Sequence, residues 1–182
     1  VRDFVSWNDQ KDFARWRSLG EWVLNVDADE VVSDELRSEI QGVLDRGVDE
    51  KIGGFRFPFR THFRSDWVRT CGYYPDRHVR LVRRDRAYWD RDWELDRLVV
   101  KGSIATLRGH MDHYSFESVS DFIQKSCTYA SAFARDAHAR GRRASLLTIW
   151  GHTAFRFFRA YLLQRGFLQG RLGLAIAGLQ AY

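Results

Sequence analysis

The sequence predicts an α/β domain followed by a C-terminal helical extension. Three observations carry that expectation. Apolar runs of strand length alternate with segments of helical spacing over residues 9–47. The middle of the chain alternates aromatic and polar residues, as in Phe55-Arg56-Phe57. From Ser118 onward helical spacing takes over. The expected division is 1–117 for the α/β part and 118–182 for the extension.

The elements follow in order. Phe13, Trp16 and Leu19 recur at helical spacing over 9–19, and Gly20 supplies a stop. Trp22 to Val26 has the length and content of a buried strand. Ser33 is a helix N-cap, with Asp34 and Glu35 in the first turn. Leu36, Ile40, Val43 and Leu44 form the apolar face of that helix, which ends near Gly47. Phe55, Phe57 and Phe59 alternate with Arg56, Pro58 and Arg60, and Pro58 marks an edge or irregular strand. Val79 and Leu81 flank Arg80 in a further strand. Gly53-Gly54 and Tyr74-Pro75-Asp76 mark turns. Leu98-Val99-Val100 and Ile104 to Leu107 flank Lys101-Gly102-Ser103 and are expected to pair as a hairpin. Ser118 caps a helix running to about His138, with Asp121 three residues on. A second helical stretch covers 145–163, and the last segment sets four glycines among apolar residues.

Residues 27–30 read Asp27-Ala28-Asp29-Glu30, so the first strand ends in three carboxylates within four positions. Carboxylates at the C-terminal end of a strand face the crevice where open α/β sheets bind ligands. Two Asp one residue apart point the same way from an extended chain. Oxygen ligands of this kind suit Mg²⁺ or Mn²⁺ carrying phosphates. The same residues also read as a strand-to-helix turn with acidic helix-start residues. Spacing alone does not choose between the two.

Composition narrows the function classes. The chain has 182 residues, 45% of them hydrophobic and 29% charged, which describes a folded protein with a real core. Its seven Trp suit cores, sugar stacking and membrane interfaces. Two cysteines, Cys71 and Cys127, fit a reducing compartment rather than a disulfide framework, and no Cys/His spacing suggests zinc. No apolar run reaches membrane-spanning length, and no signal peptide is evident. The charge is uneven. From Phe133 to Tyr182 there are eight Arg and one acidic residue, Asp136, although the whole chain carries only +5.

These residues resemble a known family. Trp22 to Glu30 is similar to the D-x-D region of family 2 glycosyltransferases, and more narrowly to lipopolysaccharide core glycosyltransferases of the WaaE/KdtX type. Tyr73-Tyr74-Pro75-Asp76-Arg77-His78-Val79-Arg80-Leu81-Val82-Arg83-Arg84 resembles that group's aromatic-Tyr-Pro-Asp-Arg-x-x-Arg-Leu-Phe-Arg-Arg signature. His113-Tyr114-Ser115-Phe116 and the glycine-spaced stretch Arg165 to Gly173 match two later elements. The four matches occur in the family's order. The resemblance implies a GT-A fold, the Rossmann-like architecture of nucleotide-diphospho-sugar transferases, here as a fragment lacking its first strands. The family's Gln-Arg-Asn appears as Gln10-Lys11-Asp12, which keeps a charge and loses the planar fork of Arg.

The resemblance implies a metal-dependent transfer of a sugar from a nucleotide-sugar donor to a cell-envelope glycan or lipid-linked acceptor. Asp29 is the first metal ligand, with Asp27 sharing the metal or facing the donor ribose, and a divalent Mg²⁺ or Mn²⁺ is the cofactor. His113 is a further candidate ligand, and Glu30 a supporting charge. Lys11, Arg77 and Arg80 are candidates for the donor's phosphates, Arg because it pairs bidentately with them. The family's His-Glu base pair falls on Leu95-Asp96, so Asp96 is the candidate base and Glu94 its neighbouring alternative. Tyr73, Tyr74 and Trp67 are candidates for sugar stacking, with core packing as the competing role.

The tail interleaves Trp150, Phe155, Phe157, Phe158 and Tyr161 with Arg156, Arg159 and Arg165. Aromatic and arginine residues on a helix suit the surface of an anionic membrane. The expected location is cytoplasmic and peripheral on the inner membrane. The competing role for this helix is packing against another part of the domain. The missing base His also admits a domain that folds like the enzymes without catalysing. A basic nucleic-acid-binding domain, suggested by a pI near 9.5, is disfavoured because the basic excess sits on an apolar tail and no standard motif is present.

Overall fold

Strand β3 (Ile52–Phe63) is the longest strand, and the two compact units of the chain divide within it. One unit comprises Val1–Pro58 and Arg77–Met111, the other Phe59–Asp76 and Asp112–Tyr182. The structure is a computed structural model that describes residues 3–91 and 96–181. Its mixed α/β content agrees with the class read from the sequence.

The first unit opens with α1 (Trp7–Arg17), β1 (Trp22–Leu24), β2 (Glu30–Val32) and α2 (Asp34–Asp45). After the first half of β3 come β5 (Asp76–Arg83), β6 (Ala87–Trp89), β7 (Leu98–Val100) and β8 (Ser103–Thr106); the two-residue β4 (Asp66–Trp67) belongs to the other unit. β1 pairs antiparallel with β5, from Trp22↔Arg83 to Leu24↔Leu81, and β5 adjoins β3. Ser33 caps α2 as expected, its Oγ accepting from the Leu36 N–H at 3.2 Å, and Leu36 is fully buried. Phe55 and Phe57 are buried on β3 with Arg56 exposed between them, as the alternation predicts, but Pro58 is buried as well and the alternation stops there.

Three sequence expectations change here. Gly53-Gly54 is not a turn, because both residues lie within β3. β7 and β8 do not form a hairpin. β7 pairs antiparallel with β6, and β8 runs parallel to β3 from Gly54↔Ile104 to Arg56↔Thr106. Gly53 explains the separation, because a Cβ there would lie 2.1 Å from the Lys101 carbonyl oxygen. The missing side chain lets the 101–103 turn close against β3 and split the two strands. Pro58 lies inside the long strand, two residues past the last β8 partner, where no β8 ladder bond needs its absent N–H. Helix α1 docks by its polar side. Trp16 is 71% and Leu19 95% exposed, while Asn8, Asp9 and Arg15 are buried. Asn8 Nδ2 donates to the Asp90 carbonyl at 2.9 Å, and Arg15 donates to the Arg84 carbonyl. The Trp89 N–H donates to Asp12 Oδ1 at 3.3 Å. Polar groups around β6 need partners, and the polar face of α1 supplies them.

The second unit holds the end of β3, which folds back on β4 through His62↔Trp67. β9 (Met111–Phe116), α3 (Val119–Ala139) and α4 (Leu146–Phe158) follow. The tail continues as one π-helical turn (Arg159–Leu163), a 3₁₀ turn (Gly166–Gln169) and α5 (Gly170–Ala181). Ser118 caps α3, accepting from the Asp121 N–H at 3.0 Å while Asp121 accepts from the Glu117 N–H. The core gathers Val68, Cys71, Ala160, Ile176 and Ala177, with Tyr73 and Tyr161 packed against it.

Burial pushes the Cys71 thiol up from its ordinary 9.0, opposed by the Thr70 hydroxyl. Burial likewise pushes the Tyr73 phenol up from 10.0, partly offset by its hydrogen bond with Gln180. Both groups hold their protons more tightly when folded. As pH rises past these ordinary values the unfolded chain loses them first, so stability falls with rising pH. Urea titrations from neutral to strongly alkaline pH should show that fall, and Tyr73→Phe should make it shallower. Iodoacetamide should modify exposed Cys127 in the native chain and reach buried Cys71 only after unfolding.

Candidate functional site

The site is built where β1 runs out. The Asn25 N–H donates to the Arg80 carbonyl at 2.9 Å, carrying the β1–β5 ladder one residue past the strand. The chain then turns back on itself. The Glu30 N–H donates to the Asp27 carbonyl at 3.0 Å, and the Asp27 N–H donates to Glu30 Oε2 at 2.9 Å. Asp27 and Asp29 therefore sit in a closed turn rather than on an extended chain, and strand alternation does not orient them. Glu30 begins β2 instead of a helix, so the helix-start reading fails for it.

Four residues picked from the sequence converge around this turn. Arg80 Nη2 lies 2.5 Å from Glu30 Oε1 and 3.1 Å from Asp27 Oδ2. Lys11 Nζ lies 3.4 Å from Asp27 and 2.7 Å from Asp96 Oδ2. Arg80 Nη1 stands 3.9 Å from Asp96 Oδ2, and Trp89 Nε1 donates to Asp96 Oδ1 at 2.7 Å. Lys11, Asp27, Arg80 and Asp96 thus share one network with Glu30 and Trp89. Its depth is graded: the Glu30 side chain is fully buried, Asp27 is 36% exposed and Asp96 45%.

The remaining candidates lie elsewhere. Asp29 is half-buried in the same turn. Arg77 is exposed at the start of β5, and its odd register puts it on the face opposite Arg80. Arg83 pairs with Glu21 and lies over the Trp22 ring at 4.8 Å, so it serves β1. His113 belongs to the second unit, on β9, edge-on to Phe59 at 6.0 Å. Tyr73, Tyr74 and Trp67 also belong to that unit, and Tyr73 packs on its core. Glu94 lies outside the described residues. Among the described residues no group of three or more His, Cys, Asp and Glu is gathered to hold a metal.

Glu30, expected as a supporting charge, and Trp89, not singled out, complete the network. For Glu30 a signal existed: a carboxylate three residues after Asp27 can reach back to its N–H, as a capping box does. For Trp89 there was none, since its role depends on the β6–β7 pairing that brings it beside Asp96.

No protein-family model matches the chain. It is similar to uncharacterized glycosyltransferases of Rickettsia prowazekii and Rickettsia typhi, 24% identical to each over 184 residues, and at 23% to one of Rickettsia felis. The alignments cover 93% of this chain and 61–63% of those proteins. The chain thus spans about three fifths of the length of the curated relatives it matches. It is a distant relative of proteins named as glycosyltransferases.

Arg80 is the cation opposite a buried carboxylate, and removing one partner of such a pair costs roughly 3 kcal/mol. Arg80→Met should lower stability by about that much in urea denaturation. Lys11→Met, whose carboxylate partners Asp27 and Asp96 are part-exposed rather than buried, should cost about 1 kcal/mol or less.

Proposed function

We propose that this chain forms part of a family 2 glycosyltransferase of GT-A type, which moves a sugar from a nucleotide-diphosphate donor to a cell-envelope glycan such as lipopolysaccharide core. The observation that carries the reading is the convergence of Lys11, Asp27, Arg80 and Asp96 beside the turn that holds Asp29. The distant likeness to proteins named as glycosyltransferases supports it independently. The activity proposed is that of the intact protein.

A divalent ion fits these residues in one way. Asp27 is already engaged by Lys11 and Arg80, so a cage made wholly of protein ligands is not formed. Mg²⁺ bound to substrate phosphates needs only one or two carboxylates. In this network carboxylates outnumber cations, with Asp27, Glu30 and Asp96 against Lys11 and Arg80, which suits the addition of a dication. Asp29, with Asp27 in support, would hold it. The ion would supply Lewis-acid neutralisation of the leaving diphosphate.

The chain's own residues would do the rest. Lys11 would turn from Asp27 toward the incoming phosphates, and Arg80 would meet them without leaving its pair with Glu30. Asp96, its carboxylate oriented by Trp89 and Lys11, would accept the proton of the acceptor hydroxyl as that oxygen attacks the anomeric carbon. The anomeric carbon–oxygen bond to the diphosphate breaks in the same transfer. Buried Glu30 and Arg80 would hold the turn in place without touching the sugar.

In the intact protein, Asp96→Asn should lower transfer by on the order of 100-fold or more while leaving donor binding within a few fold. Asp29→Asn should weaken both, and chelation should stop turnover until Mg²⁺ or Mn²⁺ is restored. Wild-type turnover in Asp29→Asn would sink the donor-site assignment.

A further inference from the structure

The second unit contains a cleft of about 320 Å³ that the proposed chemistry leaves unused. Arg69, Tyr74, Gln164 and Arg165 line it, with Leu163 and Leu168 at its side. Two arginines are among its lining residues and no Asp or Glu is. Its walls are fixed by hydrogen bonds. Gln169 Oε1 accepts from the Arg69 N–H at 3.0 Å, the Thr70 N–H at 3.3 Å and the Thr70 hydroxyl at 2.9 Å. Gln169 Nε2 donates to the Trp67 carbonyl at 2.7 Å, and the Cys71 N–H donates to the Gln164 carbonyl at 3.1 Å. Gly72 has φ +82°, and a Cβ there would stand 2.6 Å from Gln164 Nε2, so the wall closes only on glycine. The Arg69 guanidinium rests over the Trp67 ring at 5.0 Å. Arg165 keeps a left-handed backbone, φ 58°, that glycine adopts without strain.

The surroundings of the cleft are apolar and basic. Leu163 and Leu168 are 63% and 66% exposed, and Leu162, Phe167, Phe158 and Trp150 are exposed as well. No residue of α4 is buried. From Leu146 to Ala181 the chain carries four Arg and no Asp or Glu. Among the described residues no helix is long and apolar enough to cross a membrane. An exposed apolar surface with only positive charge complements an anionic bilayer, which takes apolar groups below its phosphates and arginine at their level.

We propose that the α4-to-α5 tail of the second unit sits on an anionic lipid bilayer, with a lipid headgroup phosphate bound between Arg69 and Arg165. The apolar side chains at 162, 163, 167 and 168 enter the acyl boundary. The binding needs no sugar donor and stands independently of the transferase reading.

Flotation of the 182-residue chain with vesicles tests this. The vesicles are phosphatidylcholine alone, or the same with about a quarter of the lipid replaced by phosphatidylglycerol, an anionic fraction of the kind that attracts basic segments. Binding is expected to the anionic vesicles only. Arg69→Gln and Arg165→Gln should each weaken it about fivefold. Leu163→Glu with Leu168→Glu should weaken it by about tenfold or more. All four side chains lie at the surface, and an unchanged circular dichroism melt identifies variants that fold normally. Equal binding to both vesicle types, or unchanged binding in either variant set, would overturn the proposal. Full release by millimolar inorganic phosphate, at constant ionic strength, would also overturn it, because the cleft would then hold free phosphate and the apolar surface would contribute nothing.

Discussion

The Arg80–Glu30 pair is the contact on which the candidate site depends. The Glu30 side chain is fully buried, and burying a carboxylate is costly unless a cation stands beside it. Arg80 comes from β5, whose register is set by β1, and so the same residue closes the sheet ladder and the turn beyond it. Glu30 spends its other oxygen on the Asp27 N–H. Two backbone segments and one side-chain pair therefore fix where the Asp27 carboxylate stands. Asp96, 45% exposed, then joins through Lys11 at the rim, where solvent screens its charge and rearrangement is cheaper. A rigid floor under an adjustable rim suits a site that must hold position yet exchange partners with an anionic ligand.

Helix α1 brings Lys11 to that rim, and it docks by its polar side. The arrangement reverses the usual expectation that an amphipathic helix buries its apolar stripe. The cause is local. The segment around Asp90 and Arg97 presents backbone groups that require partners, and Asn8 bonds to both residues, Nδ2 to one carbonyl and Oδ1 from the other N–H. Asp9 pairs with Arg91 at 3.2 Å, adding charge to the same seam. Hydrogen bonding decides the helix's rotation, and that rotation aims Lys11 at Asp27 and Asp96.

Much of this was legible in the sequence, for definite reasons. Ser33 and Ser118 announced two helices because capping is local chemistry. Phe55, Phe57 and Phe59 announced a buried strand because alternation is a property of the strand itself. The acidic end of β1 and its cationic partners were found as residue types, although not as a geometry: the turn at 27–30 depends on Glu30 reaching back, which the extended-chain argument overlooked. The β7–β8 hairpin failed because Gly53, distant in sequence, admits the 101–103 turn against β3. The face that α1 buries was not legible, because the deciding groups are backbone atoms far along the chain, and periodicity carries no record of them.

The amide of Gln169 has a consequence for how the second unit opens. Arg69 and Thr70 give their N–H groups to one side-chain oxygen, and Cys71 gives the next N–H to the carbonyl of Gln164. Three consecutive amides of one loop thus find acceptors in a segment almost a hundred residues later. Each of these amides is held by an acceptor in the tail, so lifting the tail frees all three, and loop and tail are coupled in local unfolding.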